Sequence, residues 1–189
     1  MLLEKSIARS MAVRYAEQLS GEWGNLHFEM VQRREGADFN FEDMRAILSK
    51  IFEHLNDMQA VLSEIREEIG ALYVYVLHID GHSEDPPPFA VTVDGSENPM
   101  VPWTKLDLGG AFSTVWRDIW FGNVTEAAAP YAWEDPQGNL VIFGYAPVFT
   151  DNDEATGDAG EEKSVTAILA VGNPAPGFAE FPDMIFSGN

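Results

Sequence analysis

The sequence predicts an α+β fold in which a long N-terminal helix packs on an antiparallel β-sheet. Helical segments come first, and the hydrophobic period changes from about 3.6 to about 2 directly after Gly70. The strands that follow are short and are bounded by turn residues. Helices and antiparallel strands that are segregated along the chain are typical of the α+β class. The 189 residues, 46% of them apolar, suffice for one domain with a sizeable core.

The first helix is predicted over residues 2–19. Its apolar residues have helical spacing, and Gly21 together with Gly24 indicates where it ends. A connector of mixed composition follows. We therefore divide the chain into an N-terminal helix with its connector, residues 1–40, and one domain, residues 41–189.

The second helix, residues 41–69, gives the clearest local signal. Its apolar residues recur at alternating spacings of three and four. Asn40 is a suitable N-cap, and Gly70 closes the helix. The apolar stripe fits a helix buried against its own sheet, and it also fits a helix shared in a homodimer. The stripe consists of Phe41, Met44, Leu48, Ile51, Leu55, Met58, Leu62, Ile65 and Ile69.

The strands begin directly after this helix. Leu72–Ile79 and Phe89–Val93 are predicted to be adjacent antiparallel strands, and Ser96–Asp107 is predicted to be a loop. A helix over one face of the sheet leaves the other face free for a pocket. The further predicted elements are a short helix at Ala111–Phe121 and strands at Asn123–Glu126, Tyr131–Glu134, Leu140–Phe149 and Val165–Val171.

The net charge of −20 excludes several classes of partner. A protein this acidic repels the phosphate backbone of nucleic acids and anionic membrane surfaces. Beyond residue 70 the basic residues are Lys105, Arg117 and Lys163, so an anionic ligand there has few cationic partners. We therefore expect no nucleic-acid partner.

The chain contains no cysteine, which removes thiolate nucleophiles, disulfides and cysteine-based zinc sites. No segment has the roughly 18 apolar residues of a membrane span, and Met1–Lys5 does not open a signal peptide. The chain is expected to be either cytosolic or a piece of a larger protein. No motif indicates a cofactor.

The order of elements and several short segments resemble the Cache family, the PAS-like extracytoplasmic sensor domains of bacterial membrane receptors. The resemblance covers about residues 41–172. Two departures stand out: Gly172 and Asn173 replace an acidic residue of the family, and the turn after Pro147 is extended into a long acidic loop. The segments that carry the resemblance are Tyr73–Leu77, Asp80–Gly81, Phe89–Gly95, Asp135–Asn139, Gly144–Val148 and Ala167–Val171.

The resemblance implies a fold, a location and a function. The fold would be a long helix on a PAS-like antiparallel sheet, placed outside the cell membrane between two transmembrane helices that this sequence lacks. The domain would bind a small organic molecule and signal to a histidine kinase, a chemoreceptor or a cyclic-dinucleotide enzyme, with the 41–69 helix as the dimer element. The alternative is a ligand-free PAS-like module for dimerisation or interaction.

The segment from Trp116 to Phe121 is the most site-like in the sequence. Arg117 stands between aromatic residues, where a guanidinium suits bidentate capture of a carboxylate. In amino-acid-binding relatives an arginine and a nearby Trp-Tyr pair hold the ligand, whereas here Trp120 lies one residue further along. Arg117 could instead pair with Asp118 at the surface.

Other aromatic residues could line a pocket over the sheet. Aromatic walls with few polar groups suit a small-molecule site, and an aromatic cage beside carboxylates would also suit an amine. Asp94 or Asp135 would then be the counter-charge. The alternative is that these rings are ordinary strand residues. The candidate ligand-binding residues are therefore Tyr73, Tyr75, Asp94, Trp116, Arg117, Trp120, Tyr131, Trp133 and Tyr145, for a carboxylate, an amino acid or an amine.

Metal and catalytic sites have little support. Asp151, Asp153 and Glu162 occupy three positions of a calcium-loop pattern that lacks its central glycine. His78 and His82 have the spacing of a helical metal pair but lie at a strand end and in a loop. We find no nucleophile motif and no phosphate-binding loop, so we expect neither a metal site nor an enzyme.

Overall fold

The computed structural model describes residues 2–32, 41–79, 88–150 and 164–175. Two long helices precede a set of strands that is interrupted once by a short helix. The helices are α1 (Leu2–Gln32), α2 (Phe41–Ile69) and α3 (Gly110–Trp120). The strands are β1 (Tyr73–Ile79), β2 (Phe89–Asp94), β3 (Thr104–Lys105), β4 (Ala127–Ala128), β5 (Trp133–Glu134), β6 (Leu140–Thr150) and β7 (Ser164–Pro174). This architecture is the predicted α+β fold.

The strands form one antiparallel sheet in the order β3-β2-β1-β7-β6-β4, with β5 also paired to β6. The predicted pairing of β1 with β2 is confirmed, and its register shifts between Val76 and Leu77. The long strands β6 and β7 pair along their whole length. β7 lies between β6 and β1, so it joins the two halves of the sheet.

Both long helices pack on one face of the sheet. The α2 residues Leu55, Met58, Leu62 and Ile65 are buried there, so this half of the predicted stripe faces the chain's own sheet. The first half of the stripe lies outside the residues whose side chains are described. From α1, small residues and a few large ones join the same core: Ala12, Tyr15, Ala16 and Leu19.

Two glycines let the helices approach the strands closely. A Cβ atom at Gly144 of β6 would collide with the backbone of Ala8 in α1. A Cβ atom at Gly95, just after β2, would collide with the backbone of Leu62 in α2. The helix-to-sheet distance therefore depends on the absence of side chains at these two positions.

The opposite face of the sheet is covered in part by α3. Phe112, Trp116 and Ile119 of α3 are buried against it. These α3 residues and the strand residues below them form a second hydrophobic core. Because side chains alternate between the two faces of a strand, every second strand residue reaches this core. These include Tyr75, Leu77, Phe89, Val91, Phe143, Tyr145, Ile168 and Ala170.

The predicted end of the first helix was wrong. The first helix does not end at Leu19 but continues through Gly21 and Gly24 to Gln32. A glycine weakens a helix by about 1 kcal/mol but does not by itself end it. The split at residue 40 stays a prediction, although α1 shares a core with the sheet.

The predicted strand at Asn123–Glu126 was also wrong. The backbone N–H groups of Asn123 and Val124 donate to the carbonyl oxygen of Asp118, so this segment completes the end of α3. The nearby strand is Ala127–Ala128. In the predicted strand Tyr131–Glu134, only Trp133–Glu134 is paired in the sheet. The predicted loop Ser96–Asp107 contains the short strand β3.

Several predicted features lie outside the described residues. These are Asp80, Gly81 and His82, the calcium-like residues Asp151, Asp153 and Glu162, the rest of the acidic loop, and the segment after residue 175. Among the residues that the structure does describe, no helix is long and apolar enough to cross a membrane.

Candidate ligand-binding cleft

A cleft of about 430 Å³ opens on the face of the sheet opposite α1 and α2. Its floor is formed by Tyr73, Tyr75 and Phe143, which neighbouring strands bring to the same face. Trp133 stands at one side, with its ring edge-to-face with that of Tyr73 at 5.8 Å between centroids. The other walls are mainly apolar, from Leu72, Met100, Leu106 and Leu108.

Gly172 allows this floor to form. Phe143 of β6 lies across Gly172 of β7, where an added Cβ would come within 2.6 Å of the phenyl ring. The ring therefore reaches over β7 towards β1, and its centroid lies 6.0 Å from that of Tyr73 and 5.6 Å from that of Tyr75. A side chain at position 172 would displace the ring that closes the floor.

The first rim of the cleft is a turn held by Asp94 at the end of β2. One carboxylate oxygen, Oδ1, accepts hydrogen bonds from the backbone N–H and the hydroxyl of Ser96. The other, Oδ2, accepts one from the backbone N–H of Met100 at 2.9 Å. Asp94 is only 3% exposed, so its charge lies at the base of the rim.

The second rim is the turn that links β5 to β6, and Asp135 holds it. Its Oδ1 accepts from the backbone N–H groups of Gln137 at 2.9 Å and Asn139 at 2.7 Å. Its Oδ2 accepts from the side-chain amide of Asn139 at 2.9 Å and from the Tyr73 hydroxyl at 3.0 Å. Gly138 takes a positive φ of 82°, which suits glycine in a tight turn. Tyr73 thus connects the second rim to the floor.

Burial and these hydrogen bonds shift the pKa values of Asp135 and Tyr73. Burial pushes the pKa of Asp135 upward, but the hydrogen bonds from Asn139, Tyr73 and Gln137 outweigh it, so the pKa is lower than usual. Burial and the hydrogen bond to Asp135 raise the pKa of Tyr73 to about 12. Asp135 is therefore ionised and Tyr73 neutral at neutral pH.

The cleft has a negative electrostatic character. Asp94, Glu97 and Asp135 line it, and none of the described residues that line it is basic. A carboxylate can accept about four hydrogen bonds, and Asp135 already accepts that number, so it acts on a ligand through its charge. The Oδ2 atom of Asp94 can accept a further hydrogen bond. Aromatic faces beside carboxylates favour a cationic ligand.

The structure brings four of the nine predicted site residues to this cleft: Tyr73, Tyr75, Asp94 and Trp133. Trp116 and Tyr145 lie behind it, fully buried between α3 and the sheet. Trp120 packs edge-to-face on His78 and Phe89. Tyr131 is 47% exposed, with its ring edge against Phe112.

Arg117 does not line the cleft. It lies in the last turn of α3, where its guanidinium is 3.7 Å from the carboxylate of Asp118. This ion pair is the surface alternative that the sequence left open. Both side chains are about one-third exposed.

Several cleft residues were not found from the sequence. Phe143, Leu106 and Leu108 are ordinary apolar residues, and nothing local distinguishes them from the core. A local signal exists for Asn139, because it ends the segment Asp-Pro-Gln-Gly-Asn, and this composition is typical of a turn.

Among the described residues, no group of three or more His, Asp or Glu could hold a metal ion. His78, which has metal-pair spacing with His82 in the sequence, packs edge-to-face against the rings of Trp103 and Trp120.

No family model matches this chain, and no curated protein matches it. Solved structures that are similar to this chain include ligand-binding and sensory domains of a chemoreceptor.

These similar domains come from the chemoreceptor Tlp3 of Campylobacter jejuni. Its ligand-binding domain in complex with 4-methylisoleucine is 15% identical, with a TM-score of 0.40, and the match covers 93% of this chain and 57% of that one. Another structure of the Tlp3 sensory domain is 12% identical, with a TM-score of 0.41, and the match covers 93% of this chain and 59% of that one. The complex with L-norvaline is 14% identical, with a TM-score of 0.38 and coverage of 93% and 57%. This chain thus spans less than two thirds of the length of these domains.

Proposed function

We propose that this chain is an extracytoplasmic ligand-binding sensor domain of a bacterial signal-transduction receptor, and that its cleft binds a small organic cation. The single observation that carries the proposal is the cleft between the Asp94 and Asp135 turns, with an aromatic floor and no basic lining residue among those described. A cavity of about 430 Å³ suits a small molecule. The Cache-like pattern of the sequence supports the receptor context and the location outside the membrane.

The ligand class follows from the charges of the lining. A carboxylate would have to approach three acidic side chains without a basic partner in the lining. A protonated or quaternary amine would gain from the same charges and from the rings of Tyr73 and Trp133. Among carboxylates, amino acids and amines, the cleft therefore favours amines, including those that carry an additional polar group.

A binding screen tests this proposal directly. Primary amines, choline, amino acids and simple carboxylates are added to the purified chain and the melting temperature is recorded. A ligand that binds the native state alone at about 100 times its Kd stabilises it by about 2.7 kcal/mol, which is easily detected. Shifts with amines but not with simple carboxylates are expected. Shifts confined to simple carboxylates would overturn the cation class.

Charge-removing variants locate the site. Asp135→Asn keeps an acceptor for the turn but removes the charge, so the affinity for a binding amine should fall about tenfold or more. Asp94→Asn should act in the same direction. Asp57→Asn, on the exposed side of α2, removes the same net charge and is the matched control. Equal losses in all three variants would indicate a nonspecific effect of net charge.

We also propose, as a separate point, that the chain forms a homodimer through the 41–69 helix. The buried second half of the stripe is already used by the chain's own core. A dimer must therefore use other surfaces of the helix, and light scattering over a concentration series tests for it. A flat ligand screen together with a dimer would favour the alternative, a ligand-free interaction module.

A further inference from the structure

One row of residues runs from the cleft into the interior of the sheet. Asp94 of β2 pairs with Tyr75 of β1, Tyr75 pairs with Ala170 of β7, and Ala170 pairs with Tyr145 of β6. Directly paired residues point to the same face of a sheet. Asp94 and Tyr75 line the cleft, whereas Ala170 and Tyr145 are fully buried behind it.

The smallest side chain of the row lies between its two phenols. Adjacent strands are about 4.8 Å apart, so Tyr75 and Tyr145 leave the sheet about 10 Å apart with only the Ala170 methyl between them. Trp116 of α3 packs against Tyr145, with the two rings edge-to-face at 6.1 Å between centroids. Phe143 stacks on Tyr145 at 6.0 Å.

Two polar atoms here make no hydrogen bond of good geometry within the part of the chain that the structure describes, although Trp116 and Tyr75 both lie close enough to the Tyr145 hydroxyl to affect its pKa. The two atoms are the hydroxyl of Tyr145 and the indole N–H of Trp116, and both residues are 0% exposed. An indole N–H can only donate, so it requires an acceptor. Burial raises the pKa of both Tyr145 and Tyr75 far above the usual phenol range, so both hydroxyls keep their protons. Buried donors without an acceptor are rare in native proteins.

We infer that Trp116, Tyr145 and Tyr75 form an inner subsite of the cleft that holds one hydrogen-bond-accepting oxygen. The oxygen is that of a ligand carbonyl when the cleft is occupied and that of an ordered water molecule when it is not. Tyr75 is the link, because it lines the cleft and is paired with Ala170. The inference rests on the proposed function of the cleft, and it selects amines that also carry an acceptor oxygen.

The test compares two probes that carry the same charge. Leucinamide and isoamylamine are both monocations at mildly acidic pH and share the same hydrocarbon chain, but only leucinamide has a carbonyl oxygen. Titration calorimetry measures both affinities for the wild type, Tyr145→Phe and Tyr131→Phe. Tyr145→Phe removes only the buried hydroxyl, and Tyr131→Phe removes an exposed one as the control. The melting temperature of each ligand-free protein is measured in parallel.

We expect the wild type and Tyr131→Phe to prefer leucinamide by about tenfold, and Tyr145→Phe to lose that preference. A retained preference with a melting temperature about 2–4 °C lower in ligand-free Tyr145→Phe identifies water as the oxygen source. An unchanged preference with an equal or higher melting temperature overturns the subsite, because deletion of an unpaired hydroxyl is neutral or stabilising. If neither amine binds, the cation class fails, and the melting temperatures alone decide whether the oxygen site exists.

Discussion

Replacement of Gly144 by alanine tests the contact on which the packing of α1 depends. The new Cβ atom would fall on the backbone of Ala8, and a backbone cannot change rotamer to make room. Either α1 must move away from β6 or β6 must distort. The neighbouring α1 residues Ala12 and Ala16 are small and almost fully buried, so a displaced helix loses close packing along its length.

The size of the stability loss depends on what the new Cβ atom meets, which is the backbone of α1. Overpacking a well-packed core costs about 1–3 kcal/mol, and a collision with a helix backbone belongs at the upper end. We expect Gly144→Ala to lower the free energy of unfolding by about 3 kcal/mol. In a protein of this size that corresponds to a melting temperature lower by about 6–12 °C.

Urea unfolding followed by circular dichroism measures the effect, with linear extrapolation to water. Gly110→Ala is the matched control, because Gly110 begins α3 in open space. That variant should be stabilised by about 0.5–1 kcal/mol through a better helix propensity and a more restricted unfolded chain. Gly95→Ala should resemble Gly144→Ala, because its Cβ meets the backbone of Leu62. If Gly144→Ala unfolds within about 0.5 kcal/mol of the wild type, α1 does not contact β6 as described.

Three further predictions concern stability. Leu62→Ala should cost about 2–5 kcal/mol in urea unfolding, because Leu62 is 0% exposed and lies between α2 and the sheet; a cost below about 1 kcal/mol would contradict that packing. The pKa of Asp135 is lower in the folded state, so its contribution is present above about pH 4 and is lost as the pH falls through the folded pKa. Asp135→Asn should therefore lose less stability than the wild type between about pH 5 and pH 3, and parallel curves would refute this. The pKa of Tyr73 is raised to about 12, so its contribution is present below about pH 10 and is lost as the pH rises towards 12. Tyr73→Phe should flatten this alkaline loss of stability, as followed by unfolding and by phenolate absorbance.

Local periodicity was sufficient to predict the class of fold and most of its long elements. The stripe of α2 and the alternation of β1, β2, β6 and β7 are repeated patterns of side chains, and such patterns are set by the backbone geometry of each element alone. The helix end at Gly21 was misplaced because a glycine weakens a helix without ending it when the rest of the helix is packed.

The site depended on contacts that are distant in sequence. Trp116, Trp120 and Trp133 look alike as candidates, yet only Trp133 reaches the cleft, because α3 directs Trp116 into the core. Asp135 meets Tyr73 across 62 residues, and this contact requires β1, β7 and β6 to be neighbours.

The sequence by itself determined that this protein is a strongly acidic α+β domain with a long amphipathic helix, since charge and periodicity are properties of the chain. The tertiary structure decided which face of the sheet is open and which carboxylates border the cleft. It also decided which hydroxyl and which indole N–H are buried without a hydrogen bond among the described residues. The alternation of a strand sorts its side chains into two sets, but only the packing of helices and the order of strands decides which set faces which neighbour.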